Sequence, residues 1–320
     1  MSHQQLPIKC AGHSNAVFQL AYSQVCESGY YLASACQSGE PMLRHGDTGD
    51  WVGTFKGHDG PVFGVDLNAN ATLLATSGDD CTVRIWNALD GVEIKILDKM
   101  RVARCVAFDS KAEYLVAGSQ NCRLVLYSLQ QSSTVAPTFY PGGHSHGVRN
   151  VLFCRDDRAL LSSSHDRTIR LWDRLSHQQV HHLALPHHAK SLELCADRET
   201  VTIAYSKKVL FINANTFEVL LLHHMVFHLK GASLHPQKES FVCAGSDHFV
   251  YKCDYKSGSI LESFEAHCVN IRSIKYSPDG EVYATSANDG SIHLWQQNVG
   301  KNYGLWRSVE TRNEQLNDNV

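Results

Sequence analysis

Histidine, serine or threonine, and aspartate recur together in this sequence, and hydrolases combine these residue types as a catalytic triad. A tryptophan follows each set at a constant distance. The three sets are His58, Thr76, Asp80 and Trp86; His144, Ser162, Asp166 and Trp172; and His267, Thr285, Asp289 and Trp295. The histidine and the aspartate are 22 residues apart in every set. Since an enzyme needs one such site, three copies at one spacing favour a repeated structural unit.

The stretch 143–173 shows which elements would position such a set. It contains three short β-type runs, at 148–153, 159–163 and 168–172, separated by two turns rich in aspartate. Aspartate side chains close tight turns by bonding to the backbone. A sheet of so few short strands leaves its apolar faces in water, so the unit must stack on copies of itself.

Copies of this unit recur along the chain with a period of 40 to 45 residues. The residues that close the copies are His45, Asn87, Ser128, Asp173, Asn213, Asp254 and Gln296. The clearest copies open with Gly-His and close with Trp-Asp or a near equivalent, which is the signature of a WD-repeat blade. The sequence therefore predicts an all-β fold, a seven-bladed β-propeller of WD repeats.

The predicted blades span 13–56, 57–98, 99–142, 143–186, 187–223, 224–265 and 266–296. The last copy has only three strands, whereas residues 5–11 contain a β-type run without a partner. We expect this N-terminal run to supply the outer strand of the last blade, because that pairing removes the open sheet edges. Residues 1–309 thus form one domain, followed by a polar, disordered tail at 310–320.

The recurring sets resemble the structural tetrad of WD repeats, in which aspartate accepts a hydrogen bond from histidine, histidine bonds the hydroxyl, and the hydroxyl meets the indole N–H. This resemblance implies that the twelve residues are structural. An enzyme that uses His144 and Asp166 remains the competing hypothesis. We find no glycine-rich phosphate loop and no nucleophile elbow. We therefore predict no catalytic residue and no cofactor.

One position near the start of each inner strand follows the blade period. It holds Phe18, Phe63, Arg104, Arg149, Lys190, Lys230 and Arg272. In WD-repeat proteins it resembles the position that faces the top mouth of the central channel and contacts ligands. Five cations on one rim would attract an acidic or phosphorylated peptide, and the two phenylalanines could anchor an apolar side chain. The alternative is that these long cations are merely solvated there.

Two other groups of residues could bind a metal. His177, His181, His182, His187 and His188 cluster in the sequence, but their spacing fits solvated loop histidines better than a zinc site. Eleven cysteines include no pair at zinc-knuckle spacing. Cys36, Cys105, Cys154, Cys243 and Cys253 lie in apolar runs, where reduced thiols pack as small hydrophobes. We predict no metal site.

The charge distribution limits the classes of partner. The net charge is −3 and no long run of lysine or arginine occurs, so we expect no direct nucleic-acid or membrane-surface binding. No apolar run approaches the roughly 20 residues of a membrane span, and the N-terminus has no signal-peptide core. We expect an intracellular protein; the cytoplasm, with the nucleus as a second location, is what the family resemblance described below implies.

Four stretches carry a more specific resemblance: PMLRHGDTGDWVGTFKGH (41–58), SLHPQKESFVCAGSD (233–247), YSPDGEVYATSANDGSIHLW (276–295) and VGKNYGLW (299–306). They resemble the serine/threonine kinase receptor-associated, or Unr-interacting, family of WD-repeat proteins. The resemblance implies a non-catalytic scaffold that joins the survival-of-motor-neuron (SMN) complex through its Gemin subunits and supports spliceosomal snRNP assembly, and hence mRNA splicing.

The same resemblance implies further protein partners, namely the RNA-binding protein Unr, the transforming growth factor-β (TGF-β) receptor and inhibitory Smad proteins. An alternative is the WD-repeat subunit of translation initiation factor 3, which shares the Pro41-Met42-Leu43 opening and the pattern of the inner strands. The stretch VGKNYGLW is not expected in that subunit. The partners that co-purify with the chain would distinguish the two.

Overall fold

A computed structural model describes residues 5–97, 100–130 and 136–298, and every regular element in these ranges is a strand. In chain order, the first strands are β1 (Ile8–Cys10); in blade one β2 (Val17–Tyr22), β3 (Tyr31–Cys36), β4 (Met42–His45) and β5 (Trp51–Thr54); in blade two β6 (Val62–Leu67), β7 (Leu73–Gly78), β8 (Val83–Asn87) and β9 (Glu93–Leu97); and in blade three β10 (Ala103–Phe108), β11 (Tyr114–Ser119), β12 (Leu124–Ser128) and β13 (Thr138–Phe139). Blade three thus ends on a strand of only two residues.

The remaining strands continue the pattern. Blade four has β14 (Val148–Cys154), β15 (Ala159–Ser164), β16 (Thr168–Asp173) and β17 (Gln179–Ala184); blade five has β18 (Ser191–Leu194), β19 (Thr200–Tyr205), β20 (Lys208–Asn213) and β21 (Val219–His224); blade six has β22 (Leu229–Leu234), β23 (Ser240–Gly245), β24 (Phe249–Asp254) and β25 (Ile260–Glu265); and blade seven has β26 (Ile271–Tyr276), β27 (Val282–Ala287) and β28 (Ile292–Gln296).

These strands form seven four-stranded antiparallel sheets. Six sheets use consecutive strands, and in the seventh the order is β1-β28-β27-β26. The innermost strands contact one another in a closed circle, from β2 through β6, β10, β14, β18, β22 and β26 back to β2. The predicted all-β, seven-bladed propeller is therefore confirmed.

The ring closes where the predicted N-terminal strand joins the last blade. Ile8 pairs with Leu294 and Cys10 with Ile292 in an antiparallel register. Inside this joint, Ser286 Oγ donates a hydrogen bond to the Val17 carbonyl at 3.2 Å. The two ends of the ring are thus connected by a strand pairing at the outer edge of the last blade and by a side-chain hydrogen bond closer to the channel.

The second strand of each blade is almost wholly buried, and the outermost strand is the most exposed. The second strand of blade four, β15, is buried at every residue because the neighbouring sheets cover both of its faces. Ala159 and Leu161 of β15, with apolar residues of β18 to β20, form a core cluster between blades four and five, and Leu160 belongs to the cluster between blades three and four. Each such leucine stabilises the fold by about 1.5–3 kcal/mol. The outer strands β17 and β21 are largely exposed.

The polar segment 310–320 and the whole of VGKNYGLW (299–306) lie outside the described residues. No helix in the described part of the chain could span a membrane.

Candidate functional site

The first two predicted tetrads are complete hydrogen-bond chains between the second and third strands of their blades. In blade four, His144 Nδ1 donates to Asp166 Oδ2 at 2.8 Å. Ser162 Oγ lies 2.7 Å from His144 Nε2 and accepts the indole N–H of Trp172 at 2.8 Å. Blade two repeats these distances with His58, Thr76, Asp80 and Trp86.

Protonation in these chains follows from burial and bonding. Burial lowers the pKa of His144, so its ring is neutral although Asp166 opposes the shift. Burial alone would raise the pKa of Asp166, but hydrogen bonds from Thr168 and His144 outweigh it and lower the pKa to about 2. A neutral histidine donates from Nδ1 and accepts at Nε2 from the Ser162 hydroxyl. Ser162 is fully buried, so this arrangement stabilises the blade and does not present a nucleophile.

The tetrad of blade seven differs from the expected arrangement. His267 Nε2 lies 2.8 Å from Thr285 Oγ1, and Trp295 donates to the same oxygen at 3.0 Å. However, His267 Nδ1 contacts Ser291 Oγ at 2.7 Å, and Ser291 in turn donates to Asp289 Oδ1 at 2.5 Å. The expectation of a direct His267–Asp289 bond is therefore wrong. Ser291 takes the place of Thr82 and Thr168 in the other two tetrads, whose hydroxyls also approach the histidine but leave the direct bond to the aspartate intact.

The second predicted site, which we call the rim, is brought together as one cavity. All seven aligned residues, Phe18, Phe63, Arg104, Arg149, Lys190, Lys230 and Arg272, line a cavity of about 630 Å³ at one mouth of the channel. His146, His165 and Gln120 also line it, and the alignment of inner strands did not identify them. No aspartate or glutamate lines the cavity. The rim is thus a concave surface of one charge sign.

One half of the rim consists of alternating rings and guanidinium groups. The Phe18 and Phe63 ring centroids are 5.3 Å apart. The Arg104 Cζ atom lies 3.9 Å from the Phe63 centroid, and the Arg272 Cζ atom lies 5.7 Å from the Phe18 centroid. Such cation–π contacts contribute roughly 0.5–2 kcal/mol each and fix the orientation of the arginines. We call these four residues the aromatic half.

The other half consists of Arg149, Lys190 and Lys230, and the first two of these cations contact neutral histidines. Arg149 Nη1 lies 3.3 Å from His165 Nε2, and Lys190 Nζ donates to His188 Nε2 at 2.8 Å. No ion pair involves these three residues in the described ranges. Burial and then repulsion from Arg149, Lys230 and Arg272 lower the pKa of Lys190 to about 8. We call these three residues the cationic half.

Proteins similar to this chain align with nearly all of it. The serine-threonine kinase receptor-associated protein of Gallus gallus is 40% identical over 314 residues, which cover 98% of this chain and 89% of the relative. The Mus musculus protein of that name is also 40% identical, over 97% and 87%. The protein of that name from Dictyostelium discoideum is 32% identical, over 91% and 98%.

The chain belongs to the serine-threonine kinase receptor-associated protein family. Three of its blades also match the family described as WD domain, G-beta repeat, at residues 49–87, 136–173 and 258–296. Each match ends at the strand that carries a tetrad tryptophan. Similarity to the other predicted class is distant: eukaryotic translation initiation factor 3 subunit I of Nematostella vectensis is 22% identical, over 90% of this chain and 95% of that protein.

This member of the serine-threonine kinase receptor-associated protein family contains a buried arginine that the sequence patterns did not identify. In blade one, Arg44 takes the place of the tetrad tryptophan and is only 2% exposed. Its guanidinium donates to the carbonyl of Ala11, directly after β1, and to that of Gly49 at 3.2 Å. The histidine–hydroxyl contact persists, with His13 Nε2 2.7 Å from Ser34 Oγ. Arg44 therefore connects the closing strand to blade one.

The predicted loop histidines have different environments. His181, His182 and His187 are exposed, and His177 packs edge-on against Tyr140 with centroids 5.4 Å apart. His188 differs from the expectation because it lies at the channel mouth, 4.9 Å from the His165 ring centroid, and accepts from Lys190. The described residues contain no cluster of three or more histidine, cysteine or acidic side chains that could hold a metal ion. The five cysteines assigned to apolar runs are all buried.

Proposed function

We propose that this chain is a non-catalytic scaffold whose rim binds an acidic segment of a partner protein. The observation that carries the proposal is the lining of the channel mouth by the five rim cations and Lys275, without an acidic side chain. In a cavity with restricted access to water, such an arrangement raises the local concentration of anionic groups. A WD propeller fits a protein-binding role.

We further propose that the assembly is the SMN complex, in which the chain contacts Gemin subunits in the cytoplasm, with the nucleus as a second location, and supports snRNP assembly and thus mRNA splicing. Membership of the family supports this assignment. The name of the relatives makes serine-threonine kinase receptors a second class of partner. Unr, the TGF-β receptor and inhibitory Smad proteins follow from the same family resemblance.

Affinity capture with charge-reversed variants tests the proposal. The test variant is Arg149→Glu with Arg272→Glu, and the control is Lys111→Glu with Lys256→Glu, which makes the same change in net charge at exposed positions outside the cavity. Each protein is tagged, expressed in cells and recovered, and its bound proteins are quantified by mass spectrometry.

We expect the wild-type and control proteins to retain Gemin and Sm proteins and the rim variant to retain less than a tenth of them. Undiminished capture by the rim variant would show that partners bind elsewhere. Recovery of initiation-factor subunits in place of Gemin and Sm proteins would show that the chain is a scaffold of the translation-initiation assembly instead.

A further inference from the structure

The two halves of the rim differ in how their positive charges are stabilised. In the aromatic half, Arg104 and Arg272 each stack on a phenylalanine, and their guanidinium groups donate to the Gln120 and Asn288 side-chain oxygens. In the cationic half, the charges of Arg149, Lys190 and Lys230 meet only neutral rings or other cations. No ion pair involves either half in the described ranges, and the cationic half also lacks the ring faces that stabilise the guanidinium groups of the aromatic half.

Arg149 lies at the centre of this uncompensated charge. Its Nε is buried and has no hydrogen-bond partner among the described residues. Burial lowers its pKa, and Arg104 and Arg272 from the aromatic half add to that shift. Lys190 is subject to repulsion from Arg149, Lys230 and Arg272 in the same way. The fields of the five rim cations thus overlap inside the cavity, and one donor of Arg149 is buried without a partner among the described residues.

His165 and His188 hold the cations in this arrangement. Their Nε2 atoms accept from Arg149 and Lys190, and their rings pack 4.9 Å apart. Burial lowers the pKa of both, that of His188 to about 4, so they are neutral acceptors at pH 7. A neutral acceptor orients a cation without neutralising it. The positive charge therefore remains available to an incoming ligand.

The ligand best matched to this half carries more than one negative charge on a single compact group. A carboxylate brings one charge and two oxygens, whereas a phosphorylated hydroxyl brings about 1.5 to 2 charges at pH 7 and three strong acceptor oxygens. Arginine binds phosphate through two parallel hydrogen bonds, and lysine binds it as a point charge. Arg149, Lys190 and Lys230 offer this combination of donors.

We propose that the cationic half binds a phosphorylated serine or threonine side chain of a partner protein, while the aromatic half packs an apolar side chain of the same segment against Phe18 and Phe63. The inference rests on the proposed function and specifies its ligand. The volume of the cavity, about 630 Å³, lies within the range of roughly 300–1,000 Å³ that is typical of ligand pockets. Capture of the partner is consequently controlled by phosphorylation of the partner.

An RNA backbone offers phosphate as well, but the charge distribution favours a protein ligand. Non-specific RNA binding needs a cationic groove that follows several nucleotides. Here the aligned cations are confined to one channel mouth in a chain of net charge −3. An oligonucleotide is nevertheless included as a probe in the test.

Fluorescence polarisation with three labelled heptapeptide libraries tests the inference. The libraries share degenerate flanks of alanine, leucine, phenylalanine and serine and differ only in a central phosphoserine, glutamate or serine. A labelled seven-nucleotide RNA is the fourth probe. The proteins are the wild type, the variant Arg149→Gln with Lys190→Gln, and the control Lys111→Gln with Lys256→Gln. Thermal unfolding verifies that each is folded, and Lys230→Gln replaces the double variant if that protein does not fold.

We expect the phosphoserine library to bind wild type and control at least tenfold more tightly than the glutamate library, and the rim variant to lose this difference. Equal affinity for the phosphoserine and glutamate libraries would overturn the inference and leave the proposed function intact. Tighter binding of the RNA would also overturn it. If no library binds and the charge-reversed rim still captures all partners from cells, the inference and the proposed function are both refuted.

Discussion

Replacing Asp166 by alanine removes the acceptor at the end of the blade-four tetrad. The carboxylate accepts four hydrogen bonds: from His144 Nδ1 at 2.8 Å, Ser145 N at 3.1 Å, Thr168 N at 2.9 Å and Thr168 Oγ1 at 2.7 Å. Its side chain is 5% exposed, so water does not replace these bonds readily. The buried His144 Nδ1–H is left with the Thr168 hydroxyl, 3.2 Å away, as its nearest acceptor.

The expected loss of stability follows from these contacts. Removing one partner of a buried, hydrogen-bonded charge contact costs about 3–5 kcal/mol. We therefore expect Asp166→Ala to lower the free energy of unfolding by about 3–5 kcal/mol. Because whole domains are stable by only about 5–15 kcal/mol, this single change removes a large share of the total.

Blade seven provides a matched control. Asp289 occupies the equivalent place but reaches His267 only through Ser291. Asp289→Ala leaves the histidine its serine partner and removes mainly hydrogen bonds to Ser291, so we expect a loss of about 1 kcal/mol. Urea unfolding, followed by the fluorescence of buried tryptophans such as Trp172 and Trp295, measures both variants under the same conditions.

The difference between the two variants is the decisive quantity. We expect Asp166→Ala to lower the free energy of unfolding by about 2 kcal/mol or more beyond the loss caused by Asp289→Ala. If the two losses agree within about 0.5 kcal/mol, the direct aspartate–histidine bond does not add to the stability of blade four. The tetrad would then owe its stability to packing around the tryptophan.

Three further predictions concern buried ionisable side chains. Burial is the main reason that the folded pKa values of His13 and His267 are lowered to about 4 and about 3. As pH falls below 6.5, these histidines are therefore protonated in the unfolded chain before they are protonated in the folded one. The free energy of unfolding, which is at its full value above pH 6.5, should decrease by about 2 kcal/mol per histidine at pH 5. A melting temperature independent of pH from 7 to 5 would contradict this. Arg44→Met removes the bond to the Ala11 carbonyl and should speed amide hydrogen exchange in β1 at least tenfold, measured by mass spectrometry, whereas unchanged exchange would show that Arg44 does not hold the closing strand. Lys252 is buried and donates to the Gln297 carbonyl at 2.5 Å; Lys252→Met should lower the free energy of unfolding by about 1–3 kcal/mol in the same urea assay, and an unchanged midpoint would refute a stabilising role.

The number of blades and the composition of the rim could be predicted because both depend on periodicity. A copy every 40 to 45 residues fixes how many sheets the chain makes, even where a blade has lost its signature. Blade five has no tetrad tryptophan, yet Phe211 and Ile212 of β20 are fully buried between its neighbours. The alternation of apolar residues on the inner strands likewise fixed which residue faces the channel mouth.

Details that depend on loop length or on individual side-chain contacts were not predictable. Ser34 lies 21 residues after His13 instead of 18, because a longer turn precedes β3. Arg44 was missed because a charged residue in a strand is normally expected at the surface. The insertion of Ser291 between His267 and Asp289 is a difference in side-chain contacts that residue spacing does not show. In each case the pattern gives the position and the three-dimensional contacts decide the partner.

The pairing of Ile8 with Leu294 has a consequence for biosynthesis. During translation the N-terminal strand emerges first, and its partner emerges only after almost the whole chain has been made. The nascent polypeptide can stack its early blades, but the circle stays open until the final strand leaves the ribosome. Bringing the two ends together then requires closure of a very long loop, whose entropic cost rises only slowly with length. Until then the unpaired edges are exposed to aggregation, so a molecular chaperone that shields them during this interval would increase the yield of the closed ring.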